Sequence, residues 1–234
     1  MQFDFAGRKV LISGGTSGIG AALASSFAAA GADVVAAGLP GPEIPAGVTE
    51  HRLDVRDGAA VADLAQALGK LDILVNAAGV IRRDAEHDPA VFAEVVDINL
   101  NGSMRLCTAC RPLLAASKGA IVNLASMLSF FGGGRVPAYS ASKGGIAQLT
   151  RSLAIAFAAD GIRVNAVAPG WIETPLTGAL VADPVRSAAI LERTPLGRWG
   201  QPGDIAGPVM FLCSPAAAFV TGVILPVDGG YLVS

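Results

Sequence analysis

The chain is poor in residues that bind metals or carry redox chemistry. Its 234 residues include only two histidines and three cysteines, and His51 and His87 are isolated. A metal centre needs several such ligands gathered together, so none is expected. Cys107 and Cys110 have the spacing of a thiol-disulfide pair. Reactive pairs of that kind open a helix, whereas these fall inside an apparently long one, beside Leu106 and Ala109. We read them as small apolar helix residues. Charged residues make up 15% of the chain and the net charge is −2. That leaves no basic stripe for nucleic acid and no cationic patch for an anionic membrane. The opening residues, Met-Gln-Phe-Asp-Phe-Ala-Gly-Arg-Lys, do not have the layout of a secretory signal. A cytoplasmic location is expected.

What the chain has in quantity is apolar surface, at 52% hydrophobic residues. From residue 205 to residue 227 there is no charge, a length that would cross a bilayer. Pro208, Pro215, Gly222 and Pro226 interrupt it, so a helix, a turn and a buried strand are expected instead. Elsewhere short apolar runs alternate with helical patterns. The runs are Val10-Leu11-Ile12, Val34-Val35-Ala36, Ile73-Leu74-Val75, Ile121 to Leu124, Val164 to Val167 and Val223-Ile224-Leu225, with His51 to Asp54 a weaker seventh. Unbroken apolarity suits strands covered on both faces, and alternation with helices implies βαβ units. The expected fold is α/β: one doubly wound, Rossmann-like domain over residues 1–234, its seven-stranded parallel sheet flanked by helices. One connection departs from this pattern. Residues 39–50 hold Pro40, Pro42 and Pro45, which forbid a regular helix there. A proline-rich loop is expected where the crossover helix after the second strand should be.

Three features point to chemistry. Ser13-Gly14-Gly15-Thr16-Ser17-Gly18-Ile19-Gly20 follows the first strand and opens an alanine-rich helix. Glycines let backbone approach a pyrophosphate, and a helix N-terminus offers it free N–H groups. At the end of the second strand an acidic residue would select NAD and an arginine NADP. Gly38 and Leu39 stand there instead, and Gly15-Thr16-Ser17 offers no cation for a 2′-phosphate. NAD is the expected cofactor, for want of a phosphate partner. Finally, Tyr139 and Lys143 are four residues apart, with Ser126 thirteen residues upstream of the tyrosine. On a helix such a pair shares one face. A neighbouring ammonium would lower the phenol pKa from ~10, making the phenol a proton donor and acceptor.

With these motifs in place, the chain resembles the classical short-chain dehydrogenases/reductases from end to end. The match rests on Ser13-Gly14-x-x-x-Gly18-Ile19-Gly20, Leu53-Asp54-Val55, Asn76-Ala77-Ala78-Gly79, Asn99, Ser126, Tyr139-x-x-x-Lys143 and Pro169-Gly170-x-x-x-Thr174. The resemblance implies an oxidoreductase that moves a hydride between a nicotinamide cofactor and a secondary alcohol or ketone. Tyr139 would be the acid/base and Ser126 would hold the substrate oxygen. Lys143 would depress the tyrosine pKa and bind the nicotinamide ribose. Asn99 would hold a water linking Lys143 to solvent. Gly14, Thr16, Ser17, Gly18, Ile19 and Gly20 would cradle the pyrophosphate, with Gly38 and Leu39 beside the adenosine ribose. Asp54 and Val55 would meet adenine, and Asn76, Ala77, Ala78 and Gly79 would leave room beside the ribose. Pro169, Gly170, Ile172 and Thr174 would edge the nicotinamide. Ser13 stands where the family usually has threonine, and its hydroxyl is expected to bond nearby backbone.

Substrate choice in the family lies after Thr174 and beside Ser126, here Leu176, Leu180 and residues 127–134. Arg82 or Arg83, on the carboxyl side of the sheet, would suit a carboxylate, although both also read as surface or subunit-contact residues. The stretch resembles sugar-acid dehydrogenases, and Val227 to Tyr231 resembles polyol-oxidising members. A sugar, sugar acid or polyol is ranked first and a 3-oxoacyl thioester second. A nicotinamide-sensing protein on the same fold is the rival class, and retention of Tyr139 and Lys143 speaks against it. The family also implies a dimer or tetramer, with helices near residues 88–114 and 139–158 paired through Ala154, Ala156, Ala158 and Ala159.

Overall fold

The computed structural model describes residues 3–41 and 44–234. The seven strands are β1 (Lys9–Ser13), β2 (Asp33–Gly38), β3 (Val48–Arg52), β4 (Ile73–Asn76), β5 (Ala120–Leu124), β6 (Arg163–Pro169) and β7 (Ile224–Val227). They form one sheet in the order β3-β2-β1-β4-β5-β6-β7, and every pairing is parallel. Side chains alternate across a strand, so each strand supplies both faces of the sheet. Val10 and Ile12 pack with Leu23 and Phe27 of α1 (Gly18–Ala29) and with Ile205 and Val209 of α8 (Pro202–Cys213). Leu11 faces the opposite way. It joins Val61 and Leu64 of α2 (Gly58–Leu68), Leu106 and Leu114 of α4 (Gly102–Ser117) and Leu153 of α5 (Pro137–Ala156). Each such fully buried aliphatic side chain contributes ~1.5–3 kcal/mol.

The uncharged stretch from 205 to 227 divides as expected into α8, a 3-10 turn at Pro215–Ala217 and β7. Among the described residues no helix is long and apolar enough to cross a membrane. The three cysteines are buried and unpaired, and burial pushes each thiol up to about 12. Cys107 and Cys110 are therefore inert packing groups within α4.

The elements depart from the sequence reading in two places. The third strand runs Val48–Arg52 rather than His51 to Asp54. It is an edge strand with Thr49, Glu50 and Arg52 exposed, so it lacks the apolar run that marks the buried strands. The long helix expected near residues 88–114 is three pieces: α3 (Pro89–Val96), a π turn at Asp97–Asn101, and α4.

No helix forms between β2 and β3 among the described residues; Pro42 of the proline-rich connection lies outside them. The start of that connection lies on the glycine turn. Thr16 Oγ1 donates to Leu39 O at 2.8 Å, and a Cβ added to Gly41 would sit 2.0 Å from Thr16 O.

Candidate active site

Strand order reverses between β1 and β4, and in open α/β sheets ligands bind where it does. The loops leaving those two strands lean on each other. A Cβ at Gly14, whose φ is +69°, would lie 2.7 Å from the backbone of Ala78, so only glycine fits. Ser13 Oγ accepts from Ala78 N at 3.4 Å, the backbone bond expected of it. Above this contact lies a cavity of about 690 Å³, within the range of sites for small ligands and cofactors.

The cavity collects residues from four stretches of the sequence. Gly14, Ser17, Gly18, Ile19 and Gly20 line it from the first turn, Ala77 and Gly79 from the loop after β4. Ser126, Tyr139 and Lys143 line it from β5 and α5, and Pro169, Gly170, Ile172 and Thr174 from the end of β6. Ser17 makes no side-chain cap on α1, and the first turn of that helix holds no acidic residue. Its N-terminal N–H groups and positive dipole end are left for an anion. A glycine-lined groove leading to an uncapped helix start fits a nicotinamide dinucleotide.

Several residues expected at the cofactor make contacts within the protein. Asn76 is buried away from the cavity. Its Nδ2 donates to Asn123 Oδ1 at 2.9 Å and to Cys107 Sγ at 3.3 Å, and Asn123 passes the chain to Thr150 Oγ1 at 2.9 Å. It ties β4 to β5, α4 and α5. Val55 packs on α4, where a Cβ at Gly102 would lie 2.6 Å from its Cγ2. The Asp54 carboxylate is bound by Arg56 at 2.6 Å, which holds its pKa below the usual carboxylate value. Thr16, Gly38, Leu39 and Ala78 build the wall behind the glycine turn without lining the cavity. Leu176 lines the cavity, whereas Leu180 is buried in the short helix α6 (Gly178–Val181), which precedes α7 (Pro184–Glu192).

Asn99 also differs in detail. Its Oδ1 accepts from Val80 N at 2.8 Å, and its Nδ2 donates to Val80 O at 3.0 Å and Ser142 Oγ at 3.2 Å. The π turn presents this amide to Val80 and α5 together. Its side chain is thus committed, and its main-chain carbonyl accepts from Ser103 Oγ at 3.2 Å.

Tyr139 and Lys143 meet as their spacing requires, the Lys143 Nζ 5.5 Å from the centre of the tyrosine ring. The expected depression of the phenol pKa is overturned: burial pushes it up to about 12, the Ser126 hydroxyl opposes the rise and Glu86 adds to it. Burial also brings Lys143 down to about 8. The ammonium donates to Leu124 O at 2.5 Å rather than to the phenol. Desolvation disfavours the charged form of each group and is the largest cause of both shifts. Ser126 is fixed by a turn in which its Oγ accepts from Leu128 N at 3.2 Å. Ser129 Oγ in turn bonds Lys143 O at 2.7 Å, joining that turn to α5.

The two arginines separate clearly. Arg82 points outward to Glu94 at 3.2 Å. Arg83 is half-buried in the cavity wall, and its pKa is lowered by burial and by the like charges of Arg186 and Arg135. Phe131, within the segment 127–134 expected beside the substrate, lines the cavity; Arg135 and Trp171 line it as well, and Glu86 lies buried behind it. Nothing local in the sequence marks Arg135, Trp171 or Glu86, because their partners are distant in the chain.

A family profile described as enoyl-(acyl carrier protein) reductase matches residues 14–232. The chain is 41% identical to the 2-dehydro-3-deoxy-D-gluconate 5-dehydrogenase of Pseudoalteromonas atlantica, over 99% of this chain and 98% of that protein. It is 43% identical to the cis-4-hydroxycyclohexanecarboxylate dehydrogenase of Sinomonas cyclohexanicum, over 97% of each. Among solved structures it superposes with a TM-score of 0.91 on a protein from Agrobacterium tumefaciens described as a 2-deoxy-D-gluconate 3-dehydrogenase with bound NADP. That protein is 45% identical, over 100% of this chain and 99% of its own.

Proposed function

The chain belongs to the classical short-chain dehydrogenase/reductase family, and we propose that it interconverts a secondary alcohol and a ketone on a small sugar acid, using NAD. It is an NAD(P)-dependent oxidoreductase acting on a CH–OH group. The observation that carries the substrate reading is Arg83, a half-buried guanidinium in the cavity wall with no ion pair among the described residues. A carboxylate on the substrate would give it a direct ion partner, beyond the longer-range attraction of Asp84 and Glu86. Both curated relatives described above carry a carboxylate in the name of their substrate.

When bound, the nicotinamide supplies or accepts the hydride. Gly14 and Gly18 let the backbone approach it, and the uncapped start of α1 faces its pyrophosphate. Tyr139 gives a proton to the substrate oxygen during reduction and takes it back during oxidation. Ser126 holds that oxygen, and Lys143 beside the phenol carries the positive charge of the site. A phenol that keeps its proton up to about 12 is a ready donor near neutrality. Oxidation needs the phenolate, so alcohol oxidation should climb with pH through the alkaline range.

The choice of NAD rests on the surroundings of Gly38 and Leu39. Neither residue is basic, Thr16 is closed over by the loop at Leu39, and Arg56 is committed to Asp54. We infer also that copies of the chain associate through α4 and α5, where Met104 and Ile155 are exposed. Ala154, expected on that surface, is buried in the core, leaving Ala156, Ala158 and Ala159 outside. A sedimentation mass equal to one chain would count against association. Three buried free thiols suit the reducing cytoplasm, and recovery from a secreted fraction would refute that placement.

The decisive experiment screens sugar acids, neutral polyols and 3-oxoacyl thioesters with NAD and NADP, for the native enzyme and Tyr139→Phe. Turnover should be highest on sugar acids with NAD and fall roughly 10²–10⁴-fold in the variant. An active Tyr139→Phe enzyme would remove the tyrosine from its role. A preference for neutral polyols or thioesters would remove Arg83 from its role. A tenfold preference for NADP would overturn the cofactor reading and direct attention to Arg52, which is in register with Gly38.

A further inference from the structure

Helix α5 begins without a cap of its own. Val136 occupies the N-cap position and makes no side-chain bond, and Pro137 follows it. The first N–H groups of a helix need acceptors from elsewhere. One comes from Glu86, which is 53 residues away in sequence and 1% exposed. Its Oε2 accepts from Tyr139 N at 2.8 Å, and its Oε1 accepts from Arg82 N at 2.8 Å. Both oxygens receive N–H donors, which is the bonding of an ionised carboxylate. Its charge lies at the positive end of the α5 dipole.

The same loop is stitched to the start of α5 at three further points. Asp84 N donates to Arg135 O at 2.9 Å, the Asp84 and Arg135 side chains pair, and His87 Nε2 bonds Gly134 O at 3.1 Å. These three contacts are exposed at the surface, where pairs contribute little. Glu86 is the buried one, and it alone reaches the backbone of the residue that carries the phenol.

We propose that Glu86 is a positioning residue, a single buried carboxylate that sets the placement of Tyr139 against the loop bearing Arg83. This rests on the reading of Tyr139 as proton donor and Arg83 as carboxylate partner. One side chain thereby fixes the separation between the group that anchors the substrate and the group that transfers its proton. Glu86 also places a negative charge behind the phenol and opposes its ionisation. The other polar and charged groups around Tyr139 are Lys143 on its own helix, Ser126 from the turn after β5, and Arg83 and Arg135 in the cavity wall.

Two variants separate reach from charge. Glu86→Asp keeps the charge but cannot span both N–H groups. It should lower kcat by about tenfold through misplacement, with the rise of alcohol oxidation staying at the native pH. Glu86→Gln removes the charge and turns an amide toward a donor. It should also lower kcat, and should move that rise toward acid by about one pH unit. Binding of reduced nicotinamide, followed by its fluorescence, verifies that each variant is folded. If Glu86→Gln does not fold, the loss of kcat in Glu86→Asp decides alone. Native kcat in Glu86→Asp, or an unmoved pH rise in a folded Glu86→Gln, would overturn the proposal. Tyr139→Phe run alongside keeps the two readings distinct. If Tyr139→Phe is inactive while the Glu86 variants behave as native, only the positioning role fails; if it is active, the reading beneath fails.

Discussion

Lys143 shows what burial does to a single charge. The residue is 5% exposed and its pKa falls to about 8 because the charged form is desolvated. Below pH 8 the folded protein carries the whole cost of that buried ammonium. As pH rises from about 8 to the unfolded value near 10.5, the folded state sheds the proton first and stability increases. Replacing it by an isosteric apolar side chain removes the cost. Lys143→Met should therefore stabilise the fold at pH 7 by ~2 kcal/mol, after allowing ~1 kcal/mol for the bond lost to Leu124 O. The gain should shrink toward pH 10.5, and denaturant unfolding across that range tests both points; a less stable variant at pH 7 would refute the cost. At this scale the sequence was legible where local spacing decides. The four-residue interval put Tyr139 beside Lys143, and the glycine positions put the first turn at the cavity. The sign of the tyrosine shift was not legible, because desolvation depends on what the whole fold packs around the phenol. The choice between Arg82 and Arg83 was hidden for the same reason, since one neighbouring backbone step decides which guanidinium faces the cavity.

Among the elements, the π turn at Asp97–Asn101 most affects the site. It delivers the Asn99 amide to Val80, holding the loop after β4, and to Ser142 on α5. Directly after it, Gly102 lets α4 approach Val55, where an added Cβ would come within 2.6 Å of one side-chain carbon and 2.9 Å of another. Gly102→Ala sets two effects against each other. Alanine raises helix propensity by ~1 kcal/mol, while overpacking costs ~1–3 kcal/mol. Overpacking wins, so the variant should melt a few degrees lower; a higher Tm would show that Val55 yields freely. The buried strands were readable from their apolar runs. The π turn was not, because Pro89 to Ser117 carries one continuous helical pattern and the extra residue answers a contact with Val80. Strand β3 began three residues earlier than read, because its exposed face is polar.

For the whole molecule, the parallel sheet, the covering helices and, among the described residues, the lack of a crossover helix after β2 were all legible, since alternating apolar runs and prolines act locally. The switch point between β1 and β4 followed from that fold, and with it the position of the cavity. Glu86, Arg135 and Trp171 entered the site only through tertiary structure. The strand order has one more consequence. The sheet ends in β3 on one side and in β7 on the other. The first carries Glu50 and Arg52 on its exposed positions, and the second contains Pro226, which has no N–H to offer. Charge guards one margin and a missing donor guards the other. Each device weakens its margin as a template for a further strand from a neighbouring molecule, which matters in a chain so rich in aliphatic residues.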